Sequence, residues 1–201
     1  MTLFVPTIAH AVPNPDLVVP TANYEPYCNA FTSPSPIASV CKADNREVYY
    51  FMKGSGEFAV DSVDRTRIAN SIWRYDPTDI NIHYDSTPVW AGTGQTDVIF
   101  EVGSKGLDTG VVGFTWCNHL ITTNNYQCDQ TYVRIRPGWV EARVATHETG
   151  HALGLLHGWS SSPRLADCAA ALGPMRGDLN CSGFVSADLT SQIITNLNYS
   201  Y

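Results

Sequence analysis

The stretch of sequence that decides the fold reads His147-Glu148-Thr149-Gly150-His151-Ala152-Leu153-Gly154-Leu155-Leu156-His157. Positions four apart share one face of a helix, so His147 and His151 would point both imidazoles at a single ion. Glu148 would lie beside this pair, where its carboxylate could accept a proton from water held by the metal. Gly154 can adopt a positive φ and end the helix, which would bring His157 round as the third ligand.

Three neutral imidazoles are typical of a catalytic zinc site, because tetrahedral zinc then keeps its fourth position for water. The pattern therefore predicts one catalytic Zn²⁺ with Glu148 as general base. Two alternatives remain open at this point: the histidines are packed core residues, or they form a metal site without activity.

The spacing HExxHxxGxxH is the metzincin signature, and the chain resembles that family of zinc peptidases. In layout it is similar to the small secreted snapalysin-like and matrixin-like members. Gly158 and Gly177 differ from the residues that several subgroups carry after the third histidine and after the methionine turn, so the subgroup stays open. The resemblance implies a zinc-dependent endopeptidase that cleaves peptide bonds by attack of a zinc-bound water, with Glu148 as the base.

The resemblance also implies an α+β fold of the zincin type. It would have a twisted, mixed, five-stranded sheet with a backing helix and an active-site helix, above a small lower subdomain with a C-terminal helix. Metzincins carry a methionine in a tight turn under the zinc, and the resemblance places Met175 there. An ordinary core methionine is the alternative.

The order of predicted elements fits that layout. Val48 to Met52 reads as a strand, and Asp61 is a candidate N-cap of a backing helix that stops at Asp76-Pro77. The active-site helix is predicted to begin near Trp139. Four further strands are predicted between these helices: Ile80 to Tyr84, Asp97 to Val102, Val111 to Trp116 and Thr131 to Ile135.

By resemblance, the third of these strands would be the antiparallel edge strand above the cleft. An unpaired edge can add an extended peptide as a further strand. The expected substrate-binding residues are therefore Val111, Val112, Gly113, Phe114, Thr115 and Trp116. A closed hairpin edge without a role is the alternative.

The chain divides by composition into two parts. Residues 1–45 form a proline-rich, extended N-terminal segment, since seven of the twelve prolines lie in residues 1–36. Residues 46–201 form the catalytic domain, with an upper part (46–157) and a lower part (158–201). Ser186 is the predicted cap of the last helix.

Six cysteines lie in three near-neighbour pairs: Cys28 with Cys41, Cys117 with Cys128, and Cys168 with Cys181. Six cysteines can pair in 15 ways, and we expect the sequential pairing because it closes short loops. Disulfides indicate a secreted, extracellular protein. Reduced thiols in a cytosolic enzyme are the alternative, as is an inhibitory thiolate from Cys28 on the zinc.

The formal net charge is −7 and no lysine or arginine run is present, so neither nucleic acid nor a membrane surface is an expected partner. We expect a monomer acting on a protein or peptide. Residues 178–188 begin like a Ca²⁺-binding loop, but the closing acid falls at position 11 instead of 12, so the pattern of such a loop is incomplete. The rival functions are a catalytically inactive binding module clipped by the metal, and a metal-dependent amidase or esterase for small substrates.

Overall fold

A computed structural model describes residues 11–25, 28–92, 94–121, 126–177, 181 and 186–201. These residues form an α+β fold in which helices pack on one mixed sheet. The strands are β1 (Lys42–Ala43), β2 (Glu47–Met52), β3 (Asn81–Tyr84), β4 (Val98–Val102), β5 (Gly113–Leu120) and β6 (Gln127–Ile135). The α-helices are α1 (Ser62–Ile72), α2 (Ala142–Ala152) and α3 (Ser191–Ser200).

The sheet is parallel except at one edge. β2 pairs with β3 and β4, and β6 pairs with β4 and β1, all in parallel register. β5 runs antiparallel to β6, with Phe114 opposite Arg134 and Trp116 opposite Tyr132. The mixed sheet is as expected, but it has six strands and not five, since the sequence pattern did not predict the two-residue strand β1. The edge strand β5 begins at Gly113, two residues later than predicted, and continues past Trp116 to Leu120.

The backing helix α1 begins where the sequence indicates. The Asp61 side chain accepts a hydrogen bond from the backbone N–H of Asp64 at 2.8 Å, which is the N-cap interaction. After α1 a 3₁₀ turn ends at Tyr75, whose hydroxyl donates to the Thr146 carbonyl at 2.7 Å. This buried contact joins the end of α1 to the middle of α2.

Helix α2 begins at Ala142, three residues later than the predicted start near Trp139. Gly138 has a φ of +83°, and the Trp139 amide donates to the Arg136 carbonyl, so Trp139 still belongs to the turn after β6. The C-cap of α2 is Leu153, followed by Gly154 at a φ of +85°.

The N-terminal segment is part of the packed structure. The Leu17 side chain is fully buried, and its amide donates to Asn196 Oδ1 of α3 at 2.7 Å. The Val19 amide donates to the Gly154 carbonyl at 3.0 Å. Residues before the sheet therefore fasten both the end of α2 and the last helix.

The predicted cap of the last helix was wrong. α3 begins at Ser191, and the Thr190 hydroxyl accepts from the amide of Ile193 at 3.2 Å. Ser186 lies before this helix and hydrogen-bonds with Asp188. Ser186 and Thr190 both have a hydroxyl that could cap a helix, and the packing of the chain determines which of them does so.

The structure contains the three sequential disulfides, Cys28–Cys41, Cys117–Cys128 and Cys168–Cys181. Cys28 is bonded to Cys41 and therefore supplies no thiolate to a metal.

The calcium-like loop falls mostly on residues 178–180 and 182–185, outside the described residues. None of the described helices has the length and apolar character needed to cross a bilayer.

We expect Gly154→Ala to destabilise the protein more than Gly56→Ala. Both glycines have a φ of +85°, which disfavours a side chain by about 1–2 kcal/mol. A Cβ at Gly154 would also lie 2.6 Å from Lys42 Cβ, whereas nothing lies within 4 Å of a Cβ at Gly56. Thermal unfolding should show a fall in Tm of about 2–8 °C for Gly56→Ala and a larger fall for Gly154→Ala. Equal losses would mean that the approach of Lys42 is unimportant.

Candidate metal centre and its cleft

Three histidines converge at the base of a cleft. His157 Nε2 lies 3.1 Å from His151 Nε2 and 3.1 Å from His147 Nε2. His147 and His151 are one turn apart on α2, and the reversal at Gly154 returns the chain so that His157 faces them. Among the described residues, this is the one group of three potential ligands within 4.8 Å of one another, and it could hold a metal ion.

Backbone carbonyls orient the first two rings. His147 Nδ1 lies 2.9 Å from the Pro174 carbonyl and His151 Nδ1 lies 2.7 Å from the Leu155 carbonyl. A carbonyl oxygen can only accept, so each Nδ1 carries the proton and donates it. Each Nε2 therefore keeps its lone pair for a metal, as ligating histidines require.

Burial keeps the cluster uncharged. Desolvation, with the neighbouring His157 as a smaller cause, lowers the pKa of His147 to about 3. Desolvation also lowers the pKa of His151 and that of His157. All three rings are consequently neutral near pH 7, which is the form that binds a metal.

Glu148 is the carboxylate next to this cluster. It is 4% exposed and lines the same cleft as the three histidines. Burial raises the pKa of Glu148 to about 7, while a hydrogen bond from Thr115 acts in the opposite direction. A carboxyl group with a pKa near neutrality can both accept and release a proton at that pH.

Met175 lies directly under the helix that carries the first two histidines. It is fully buried at the end of a 3₁₀ turn (Ala170–Met175). A Cβ added to Gly150 would come within 2.5 Å of its sulfur, so the thioether packs closely against α2 between the histidine positions. The residue before it, Pro174, supplies the carbonyl that orients His147.

The cleft, of about 510 Å³, runs along the edge of β5. Five of the six predicted substrate-binding residues, from Val111 to Thr115, line it. Trp116 is not among its lining residues: it is 1% exposed and its ring stacks on Tyr132 at 5.5 Å between centroids.

Several residues that line the cleft were not singled out in the sequence. They come from the N-terminal segment, from α2 and from the chain after His157: Tyr24, Pro36, Ala38, Val40, Arg143, Trp159, Ser160 and Arg176. Tyr24 and Trp159 meet edge to face at 6.4 Å. No local motif marks these positions, since they are brought together only by the folding of distant segments.

Comparison with protein-family models and with curated proteins found no match to this chain.

Proposed function

We propose that this protein is a secreted zinc endopeptidase of the metzincin type. The observation that carries the proposal is the convergence of three neutral imidazole nitrogens and a buried carboxylate in one cleft, beside a sheet edge. Imidazoles supply the metal site, Glu148 supplies a base, and β5 offers a backbone to which an extended peptide can pair.

The donor set favours zinc. A tetrahedral ion with Zn–N distances of about 2.0–2.1 Å spaces its nitrogens about 3.3 Å apart. The Nε2 atoms lie 3.1 Å apart in the two pairs with His157, so small shifts would seat the ion. His147, His151 and His157 would hold it and leave a position open for catalysis.

In the proposed reaction, Glu148 accepts a proton from the water that attacks the scissile carbonyl and delivers it to the nitrogen of the leaving amine. A zinc ion at the site would polarise the carbonyl oxygen and lower the pKa of water. Residues 111–115 would hold the substrate extended along β5. No covalent enzyme intermediate is needed, since water is the nucleophile.

The disulfides support the extracellular location that we propose. Three disulfides join cysteines 11–13 residues apart, and no cysteine in the described part is free. Such bonds persist in oxidising compartments and are rare in the cytosol. The disulfides therefore support secretion.

The test is metal-dependent cleavage of casein and of a peptide library. We expect the zinc-loaded protein to cleave peptides, to lose activity after chelation and dialysis, and to regain it on addition of Zn²⁺. Zinc binding without cleavage would overturn the proposal. It would favour the alternative function, a catalytically inactive binding module. Chelator-sensitive hydrolysis of small esters or amides, with peptides untouched, would instead favour the esterase or amidase.

The pH profile of kcat/KM should rise towards neutrality. Glu148 must be ionised to act as a base, and burial raises its pKa to about 7 in the metal-free protein. A divalent cation favours the ionised form, so the inflection should lie at or below about pH 7 in the zinc-loaded protein. Steady-state kinetics between about pH 5 and pH 9 measure this rise in kcat/KM. Activity that increases as the pH falls would contradict the base role.

A further inference from the structure

We propose that Thr115 and Gly113, two residues of β5, position the Glu148 carboxylate for proton transfer. The inference rests on the proposed function and deepens it, because it assigns the Thr115 side chain and the space beside Gly113 to the base, while the backbone of the strand remains available to the substrate. Both residues are brought to Glu148 by the packing of β5 against α2.

The Thr115 contact holds one carboxylate oxygen. Thr115 Oγ1 lies 2.7 Å from Glu148 Oε2 and 3.0 Å from the Glu148 backbone carbonyl. In the ionised glutamate both oxygens are acceptors, and the threonine hydroxyl shares its single proton between the carboxylate and the carbonyl. A hydrogen bond to a charged group in a buried site is among the stronger ones in proteins. It leaves Oε1 as the oxygen that can take a proton from water.

Gly113 confines the other oxygen. A Cβ at Gly113 would lie 2.6 Å from Glu148 Oε1 and 2.8 Å from both Cγ and Cδ. Gly113 is two positions before Thr115, so the two residues present the same face of the strand. Gly113 is not among the glycines with positive φ. Glycine is therefore needed here for space and not for backbone conformation.

Together the two residues fix the carboxylate within the cleft. One oxygen is anchored by a hydroxyl, and the side chain fits only because the facing strand residue has no Cβ. A base held in its reactive orientation needs less reordering to reach the transition state. Losing the anchor should therefore lower kcat and leave KM and zinc content nearly unchanged.

The experiment compares Thr115→Val and Thr115→Ser in the zinc-loaded protein. We expect Thr115→Val, which has the same shape without a donor, to lower kcat about 10- to 100-fold. Thr115→Ser restores the hydroxyl and should keep kcat within about threefold of the parent. Gly113→Ala should lower kcat at least as much as Thr115→Val.

The matched control is Thr149→Val on α2, whose hydroxyl donates to the Ala145 carbonyl and not to the carboxylate. It should keep the parent kcat, with zinc content and Tm measured for every variant. The positioning role is overturned if Thr115→Val retains the parent kcat, or if Thr115→Ser loses as much as Thr115→Val.

Crystal structures of the zinc-loaded parent and Thr115→Val separate this inference from the proposed function. An inactive parent would end the proposed function, and the structures would still decide the position of the carboxylate. We expect Glu148 Oε2 at hydrogen-bond distance from Thr115 in the parent and a displaced carboxylate in the variant. An unmoved carboxylate in Thr115→Val would refute the positioning role.

Discussion

Glu148→Gln should reduce peptide cleavage about 10²- to 10⁴-fold while zinc content and fold are retained. The amide has the size and shape of the carboxylate, but it cannot accept a proton at neutral pH. Its oxygen can still accept the hydrogen bond that Thr115 donates to Glu148 Oε2. The variant therefore removes the proton acceptor and keeps the hydrogen bond with Thr115.

The fold should tolerate this change. Glu148 is buried, and burial raises its pKa to about 7, so its ionised form is disfavoured in the metal-free protein. A neutral amide avoids that desolvation. We expect the Tm of metal-free Glu148→Gln to equal or exceed the parent value, which calorimetry measures.

The matched control is Glu141→Gln at the start of the same helix. Glu141 is exposed and makes no side-chain capping hydrogen bond in α2. It should keep the parent kcat/KM. If Glu148→Gln cleaves peptides as fast as Glu141→Gln, another group acts as the base.

The sequence predicted those elements whose information is local. Asp61 is recognised as a cap because the groups that it binds lie within three residues. The α2 histidines share a face because the helical period is fixed, and Gly154 turns the chain because only glycine adopts that φ at little cost. These local rules bring His147 and His151 together and allow the return of His157.

The remaining features depend on contacts between distant segments. Thr190 and not Ser186 caps α3, although both have a suitable hydroxyl. Leu17 reaches Asn196 across 179 positions of sequence, so no short pattern could have predicted that the N-terminal segment packs on the last helix. The bond between Thr115 and Glu148 likewise joins two elements 33 residues apart. Such pairings follow from the assembled fold.

Replacing His157 with alanine should remove most of the metal affinity. His157 Nε2 is 3.1 Å from both other Nε2 atoms, so the three nitrogens could coordinate one ion together. Loss of an outer-sphere partner already weakens metal binding about 10- to 100-fold, and a direct ligand should weaken it more than about 100-fold. Peptide cleavage should fall with zinc occupancy, and calorimetric titration of the metal-free protein with Zn²⁺ measures the affinity.

His83→Ala is the matched control for that titration. His83 is exposed on β3 and pairs with Glu47 at 3.2 Å, so it carries the same ring without facing the cluster. We expect His83→Ala to bind one zinc with the parent affinity. Because His157 comes from beyond the helix, its variant tests whether the chain reversal at Gly154 completes the site. Parent-like zinc affinity in His157→Ala would show that the ion is held without it, and the three-histidine centre would then be wrong.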